Sequence, residues 1–244
     1  MSNSESSHIG NLHNFDQLIS VVKGYGPIYN PANPAFQTPA LEAKSVTAHN
    51  LIVLLNTIFS TYKIAVERRI VVYDRLDSLV TRIYNFLKSS GTTAVLNEEV
   101  KAIIRKLTGA RAGKKLPAPT PGSVAEGPVQ NSVSQLGYNQ KLSNFAKLIS
   151  QLELVPEYMP NEGDLTLASL KEYFDSMDKA NKAVLKAEND LSNSRLARNT
   201  EFYAPTTGLT EIAKADKLYI KALFGSNSPQ YHQVSRIGFK NLKN

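Results

Sequence analysis

Apolar side chains recur at helical spacing through most of the chain. The clearest case begins at Thr38-Pro39, where a capping hydroxyl followed by proline is typical of a helix start. No further glycine or proline occurs before Gly91. Steps of four and three residues separate the apolar positions Leu51, Leu55, Ile58, Tyr62 and Ala65. The pattern predicts a helix of about 34 residues, roughly 50 Å long, inside a helical bundle.

Shorter helices are predicted on both sides of this long helix. The first is expected to be capped by Asn14 and to stop at Gly24, and the polar residues 1–13 before it are predicted to form a flexible tail. A turn is expected near Tyr73, followed by helices from Leu76 to Leu87 and from Asn97 to Leu107.

Two sequence patterns occur twice, about 130 positions apart. The pattern N-F-x-x-L-I-S begins at Asn14 and again at Asn144. The pattern P-x-Y-x-P begins at Pro27 and again at Pro156. Agreement in both identity and spacing predicts an internal duplication.

The duplication predicts an all-α protein of two homologous four-helix units, each with one long helix. The first unit is placed at residues 14–108 and the second at 138–244. Residues 109–137 are rich in proline, glycine and alanine and are predicted to form a linker. The second unit is expected to contain helices from Asn144 to Leu154 and from about Thr166 to Phe202.

Two sets of residues are candidates for an interaction role. Small side chains along the second long helix let another helix approach closely, either within the chain or from a neighbouring subunit. This face contains Ala180, Ala183, Ala187 and Leu191. The second set is an arginine and a tyrosine five residues apart in each repeat, for which carboxylate pairing and ring stacking are favoured over a duplicated anion site. These residues are Arg68 and Tyr73, and Arg198 and Tyr203.

The chain carries a net charge of +7, but the excess is spread thinly along its length. The tightest basic cluster runs from a helix end into the linker and is interpreted as a solvated boundary, with a phosphate-binding or docking patch as the alternative. It consists of Arg105, Lys106, Arg111, Lys114 and Lys115.

Catalytic, metal and cofactor signatures are missing from the sequence. There is no cysteine, and His8, His13, His49 and His232 do not have the spacing of metal ligands. Paired titratable groups of the kind that general acid–base chemistry needs are not evident either. The sequence therefore predicts a protein that is not an enzyme and needs no cofactor.

The N-terminus lacks a basic segment followed by an apolar run, and the longest apolar run, Leu51 to Leu55, is far shorter than a membrane span. We therefore expect no membrane span and a cytoplasmic location. Export inside a particle would leave the same sequence.

The last part of the chain resembles a family of helical proteins of Bacteroidota to which no activity is attached. The resemblance is carried by Ala197–Lys214 and Tyr219–Tyr231 and implies a bacterial, non-enzymatic protein. Together these observations predict a structural or scaffolding protein that assembles with itself or docks another protein through helical faces. The alternative is a nucleic-acid-binding or anion-binding helical module that uses the basic cluster.

Overall fold

The computed structural model describes residues 3–110 and 136–241. These residues form α-helices and short 3₁₀ turns, and no strand occurs among them. The all-α prediction is therefore confirmed for this part of the chain. The helices before the linker are α1 (Asn3–Gly24), α2 (Thr38–Asp74), α3 (Leu76–Ser89) and α4 (Ala94–Thr108). Those after it are α5 (Tyr138–Glu153), α6 (Leu167–Tyr203), α7 (Leu209–Phe224) and α8 (Pro229–Ser235).

The long helices α2 and α6 each contain 37 residues. The start of α2 at Thr38 and the break between Asp74 and Leu76 agree with the sequence pattern. Two 3₁₀ turns, Gly26–Ile28 and Pro34–Phe36, lie in the proline-rich segment between α1 and α2.

The structure corrects the prediction that residues 1–13 form a flexible tail. Residues 3–13 belong to α1, and Leu12 is buried within the helix. Asn14, predicted to be the cap, lies inside the same helix, and its amide donates a hydrogen bond to the Gly238 carbonyl oxygen across 2.6 Å. Polar composition suggested a mobile segment, but His8, Asn11 and Leu12 are buried in the terminal unit.

The chain forms two compact units that do not follow the order of the sequence. The terminal unit contains residues Met1–Tyr62 and Ala187–Asn244, and the central unit contains Lys63–Lys186. This corrects the predicted units at 14–108 and 138–244, because α2 and α6 each contribute residues to both compact units. Of the predicted linker, residues 111–135 lie outside the described part of the chain.

The pairing of helices inside each unit explains the correction. In the terminal unit α1 packs against α7 and α8. In the central unit α5 packs against α4, which packs against α3.

Each unit buries the same kind of stripe from its first helix. In α1 the stripe consists of Phe15, Leu18, Ile19 and Val22. In α5 it consists of Phe145, Leu148, Ile149 and Leu152. These side chains are at most 7% exposed, and their area removed from water is the main source of stability in each core.

Candidate functional site

Tyr73 and Tyr203, two of the predicted interaction residues, are held by hydrogen bonds inside their own units. The Tyr73 hydroxyl donates to the Tyr138 carbonyl oxygen across 3.1 Å and accepts from the Asn181 amide nitrogen across 2.9 Å. The Tyr203 hydroxyl accepts from the Asn11 amide nitrogen across 3.3 Å. Burial raises the pKa of Tyr73 to about 12, so this phenol stays neutral at physiological pH.

The two arginines that the repeats align have different surroundings. Arg68 is exposed, whereas Arg198 is only 7% exposed and donates from its guanidinium to the Asn199 side-chain oxygen across 3.0 and 3.2 Å. In the central unit it is Arg69 that turns inward, with its guanidinium 4.0 Å from the centre of the Tyr138 ring. Arg68 and Arg198 therefore do not have matching surroundings.

The small-residue face of α6 is divided between interior and surface. Ala187 and Leu191 are 6% and 5% exposed, so they contact the chain itself. Ala180 is half-buried and Ala183 is exposed. Contacts within the chain therefore account for Ala187 and Leu191, and a partner for Ala180 and Ala183 stays a prediction.

The basic cluster is described only in part. Arg105 and Lys106 lie in the last turn of α4, whereas Arg111, Lys114 and Lys115 lie outside the described residues. A guanidinium nitrogen of Arg105 is 3.9 Å from a Glu98 carboxylate oxygen, and the Lys101 ammonium is 2.8 Å from the same side chain. Glu98 therefore offsets some of the positive charge at this end of α4.

The N-terminal part of α2 carries an unusual exposed surface. From Ser45 to Tyr62 the sequence contains no aspartate, glutamate, lysine or arginine over 18 residues. Within this stretch Val46 is 59% exposed, Val53 is 51% exposed and Leu54 is 48% exposed. Asn50 and Thr57 are also exposed, and the positions Val46, Asn50, Val53 and Thr57 follow one another at steps of four, three and four residues. We call Val46, Asn50, Val53, Leu54 and Thr57 the uncharged face of α2.

Sequence reasoning assigned this stretch of α2 to a bundle interior. Its apolar residues extend most of the way around the helix, and the unit buries only one side, where Leu41, Ala48 and Leu55 lie. The sequence signal for this surface was the absence of charged residues from Ser45 to Tyr62, which is unusual for a helix that has one side in solvent.

A buried carboxylate lies among the tyrosines of the terminal unit. Asp216 of α7 is fully buried, and its oxygen Oδ1 accepts a hydrogen bond from the Tyr29 hydroxyl across 2.6 Å. The other oxygen, Oδ2, is buried without a hydrogen-bond partner among the described residues. Burial raises the pKa of Asp216 to about 6, and the hydrogen bond from Tyr29 opposes this rise.

Sequence reasoning missed Asp216. The signal is its position in an otherwise apolar stripe of α7, formed by Leu209, Ile212, Ala213 and Ile220. A single charged residue in a predicted amphipathic helix is usually placed on the solvent side, so the exact helical register was needed to find it.

Other chemistry is limited in the described residues. They contain no group of three or more histidine, aspartate or glutamate side chains able to hold a metal ion. A cleft of about 320 Å³ in the central unit is lined by apolar and polar side chains in similar number, with Glu157 as its one ionisable group. None of the helices within residues 3–110 and 136–241 combines the length and the apolar character that a bilayer crossing needs.

Two features thus stand out as candidates for a function. One is the uncharged face of α2, whose apolar residues lie in solvent, and the other is the Asp216–Tyr29 pair, which places a carboxylate in an apolar core. The resemblance to a Bacteroidota family stays a prediction. Comparisons with protein-family models, with curated proteins and with solved structures each gave no match.

Proposed function

We propose that this chain is a structural protein that associates with a second copy of itself, without catalysis, through the uncharged face of α2. The observation that carries the proposal is the exposure of Val46, Val53 and Leu54 within an 18-residue helical stretch that has no charged side chain. Single exposed apolar residues are common, whereas a group of them on one helical surface is typical of a binding surface.

The composition of this face favours a second copy over a charged partner. In a two-fold interface the same surface meets itself, so any charge near the axis would lie close to its own copy and repel it. The stretch from Ser45 to Tyr62 avoids this repulsion, and it offers nothing that would attract an acidic or a basic partner.

The spacing of the face supports helix pairing. Steps of four, three and four residues from Val46 to Thr57 match the repeat of a coiled-coil seam. Asn50 occupies one position of that seam, and a polar residue there fixes the register of paired helices in known coiled coils at some cost in stability. Both helices would supply Val46 and Val53 to the seam.

We also propose that the chain arose by internal duplication. Three features support this proposal besides the repeated sequence patterns. The two long helices have equal length. The buried phenylalanines Phe15 and Phe145 occupy matching positions. Tyr29 and Tyr158 each bond to a carbonyl oxygen seven residues later.

The test compares Val53→Glu with a matched control, Leu196→Glu. Leu196 is 62% exposed on α6 in the same terminal unit, so both variants place a carboxylate on an exposed apolar site. Light scattering on a sizing column should give a wild-type mass of two chains or more, a single chain for Val53→Glu and the wild-type mass for Leu196→Glu. A wild-type protein that stays a single chain at high concentration would refute self-assembly. Association that survives Val53→Glu and is lost in Leu196→Glu would move the interface to α6.

A further inference from the structure

Asp216 takes the place of an apolar residue in an otherwise repeated packing pattern. Apart from Thr210, the buried positions of α7 are Leu209, Ile212, Ala213, Asp216 and Ile220. Those of α3 in the central unit have the same spacing and are Leu76, Leu79, Val80, Ile83 and Leu87. Asp216 thus corresponds to the fully buried Ile83.

The tyrosine beside Asp216 has more acceptors than it has hydrogens. The Tyr29 oxygen lies 2.6 Å from Asp216 Oδ1 and 2.6 Å from the Phe36 carbonyl oxygen. A phenol has one hydrogen and can donate to only one of them when Asp216 is ionised. A protonated Asp216 resolves the conflict, because the carboxylic acid then donates to the Tyr29 oxygen while Tyr29 donates to Phe36.

The central unit contains the corresponding tyrosine, Tyr158, without a carboxylate beside it. The Tyr158 hydroxyl donates to the Leu165 carbonyl oxygen across 2.8 Å, and the position that corresponds to Asp216 is Ile83. That single hydrogen bond is complete at any pH at which the phenol keeps its proton.

We propose that Asp216, Tyr29 and Phe36 form a proton-dependent latch that holds the segment between α1 and α2 against α7. The latch has two hydrogen bonds when Asp216 carries a proton. It loses one of them, and leaves a buried carboxylate, when Asp216 ionises. The proton goes to solvent, and no other group changes its covalent state.

The surroundings of Asp216 favour its neutral form. The titratable groups beside it are Tyr29, in the segment after α1, and Tyr25. Burial and the nearby Asp216 raise the pKa of both phenols, so both stay neutral at physiological pH. The ring of Tyr219 packs on Tyr29. Lys217, the next residue on α7, instead donates to the carbonyl oxygens of Ile237 and Ser235, across 2.8 and 3.2 Å. Burial dominates over these neighbours, so the pKa of Asp216 rises to about 6.

The pH dependence of the latch has a definite sign. Since the folded chain holds this proton more tightly than the unfolded chain, the latch is complete in mildly acidic solution and weakens as the pH rises through about 6. The segment from Tyr25 to Gln37, which Tyr29 anchors, is the part of the terminal unit that is released first.

Hydrogen exchange on the full chain tests the proposal, with Asp216→Asn as the variant. The asparagine amide donates to Tyr29 as the carboxylic acid does, but it does not titrate. After correction for the intrinsic pH dependence, wild-type protection of residues 25–37 should fall by tenfold or more between about pH 5 and about pH 7.5. Protection of residues 154–166, around Tyr158, should not change. In Asp216→Asn the protection of residues 25–37 should be independent of pH.

Two results would overturn the latch. One is wild-type protection of residues 25–37 that does not depend on pH. The other is a fall that persists unchanged in Asp216→Asn. If that variant does not fold, the carboxyl carbon resonance of Asp216 in the wild-type protein gives the answer directly. Titration near pH 6 supports the latch, and titration near the ordinary value of 3.8 refutes it.

Discussion

The Tyr158 hydroxyl donates a hydrogen bond to the carbonyl oxygen of Leu165, seven residues later, across 2.8 Å. In the terminal unit Tyr29 bonds in the same way to Phe36, also seven residues later, across 2.6 Å. Each tyrosine follows a proline by two residues and precedes a long helix. The two phenols therefore fix the irregular segments that lead into α2 and α6.

Replacing either phenol with phenylalanine should destabilise its own unit, but to different extents. Tyr158→Phe removes one hydrogen bond and should lower the free energy of unfolding of the central unit by about 1 kcal/mol. Tyr29→Phe removes the hydroxyl that contacts both the Phe36 carbonyl oxygen and Asp216, so the loss in the terminal unit should be about 2 kcal/mol. Native-state hydrogen exchange reports the two units separately. Tyr84→Phe, at a half-buried site, is the control and should change stability by less than about 0.5 kcal/mol. A larger loss from Tyr158→Phe than from Tyr29→Phe would contradict this ranking.

Stability of the terminal unit should decrease with rising pH because of Asp216. Its pKa is about 6 in the folded chain and 3.8 in the unfolded chain, so the folded state binds the proton more tightly. The contribution is present in full below about pH 4 and is lost as the pH rises through about 6. Two pKa units correspond to at most about 3 kcal/mol. Thermal unfolding of the wild type and of Asp216→Asn over this range should show the variant gaining relative stability as the pH rises. Parallel curves would mean that Asp216 has an ordinary pKa in the folded chain.

The helices were largely predictable from the sequence, and their pairing was not. Periodic apolar residues and the Thr38-Pro39 start locate α2, because a helix is fixed by local spacing and capping. The stripe of α1 fits two possible partners, since α3 and α7 bury positions with the same spacing. In the structure α1 packs against α7, and the spacing of apolar residues alone does not select that partner.

The candidate features were harder to predict because both depend on exposure. The missing charge between Ser45 and Tyr62 is visible in the sequence, but whether Val53 faces a core or solvent depends on how many sides of α2 are covered. Asp216 is found only when the register of α7 places it inward, next to Tyr29, which is 187 positions away.

The corrected N-terminus gives a prediction from two neighbouring residues. Leu12 is 7% exposed, whereas His13 is exposed on the same helix. Leu12→Ala should lower the free energy of unfolding of the terminal unit by about 2 to 3 kcal/mol, because it removes buried methyl groups and leaves a cavity. His13→Ala should change it by less than about 0.5 kcal/mol. Urea denaturation followed by circular dichroism would separate these outcomes, and equal small effects would restore the flexible tail that composition suggested.

The unequal burial of the two aligned arginines predicts unequal mutational effects. Arg198→Ala should destabilise the terminal unit by about 1 to 3 kcal/mol, because the side chain is 7% exposed and its bonds to Asn199 are lost with its packing. Arg68→Ala should stay within about 0.5 kcal/mol of the wild type because Arg68 is exposed. The same urea titration measures both variants. Equal losses would mean that the repeats use these arginines in the same way after all.

Salt dependence separates the proposed assembly from the alternative of nucleic-acid or anion binding. Association through the uncharged face of α2 buries apolar surface, and the stretch from Ser45 to Tyr62 carries no charge to be screened. Raising sodium chloride from about 0.1 M to about 0.5 M should therefore leave the assembled mass unchanged or increase it. Binding through Arg105, Lys106, Arg111, Lys114 and Lys115 would release counterions and weaken steeply over the same range.

Light scattering with absorbance recorded at about 260 and 280 nm distinguishes the two cases. A large species whose nucleic-acid absorbance and mass both fall with salt would assign the association to the basic cluster, and Arg105→Ala with Lys106→Ala should then abolish it while Val53→Glu does not.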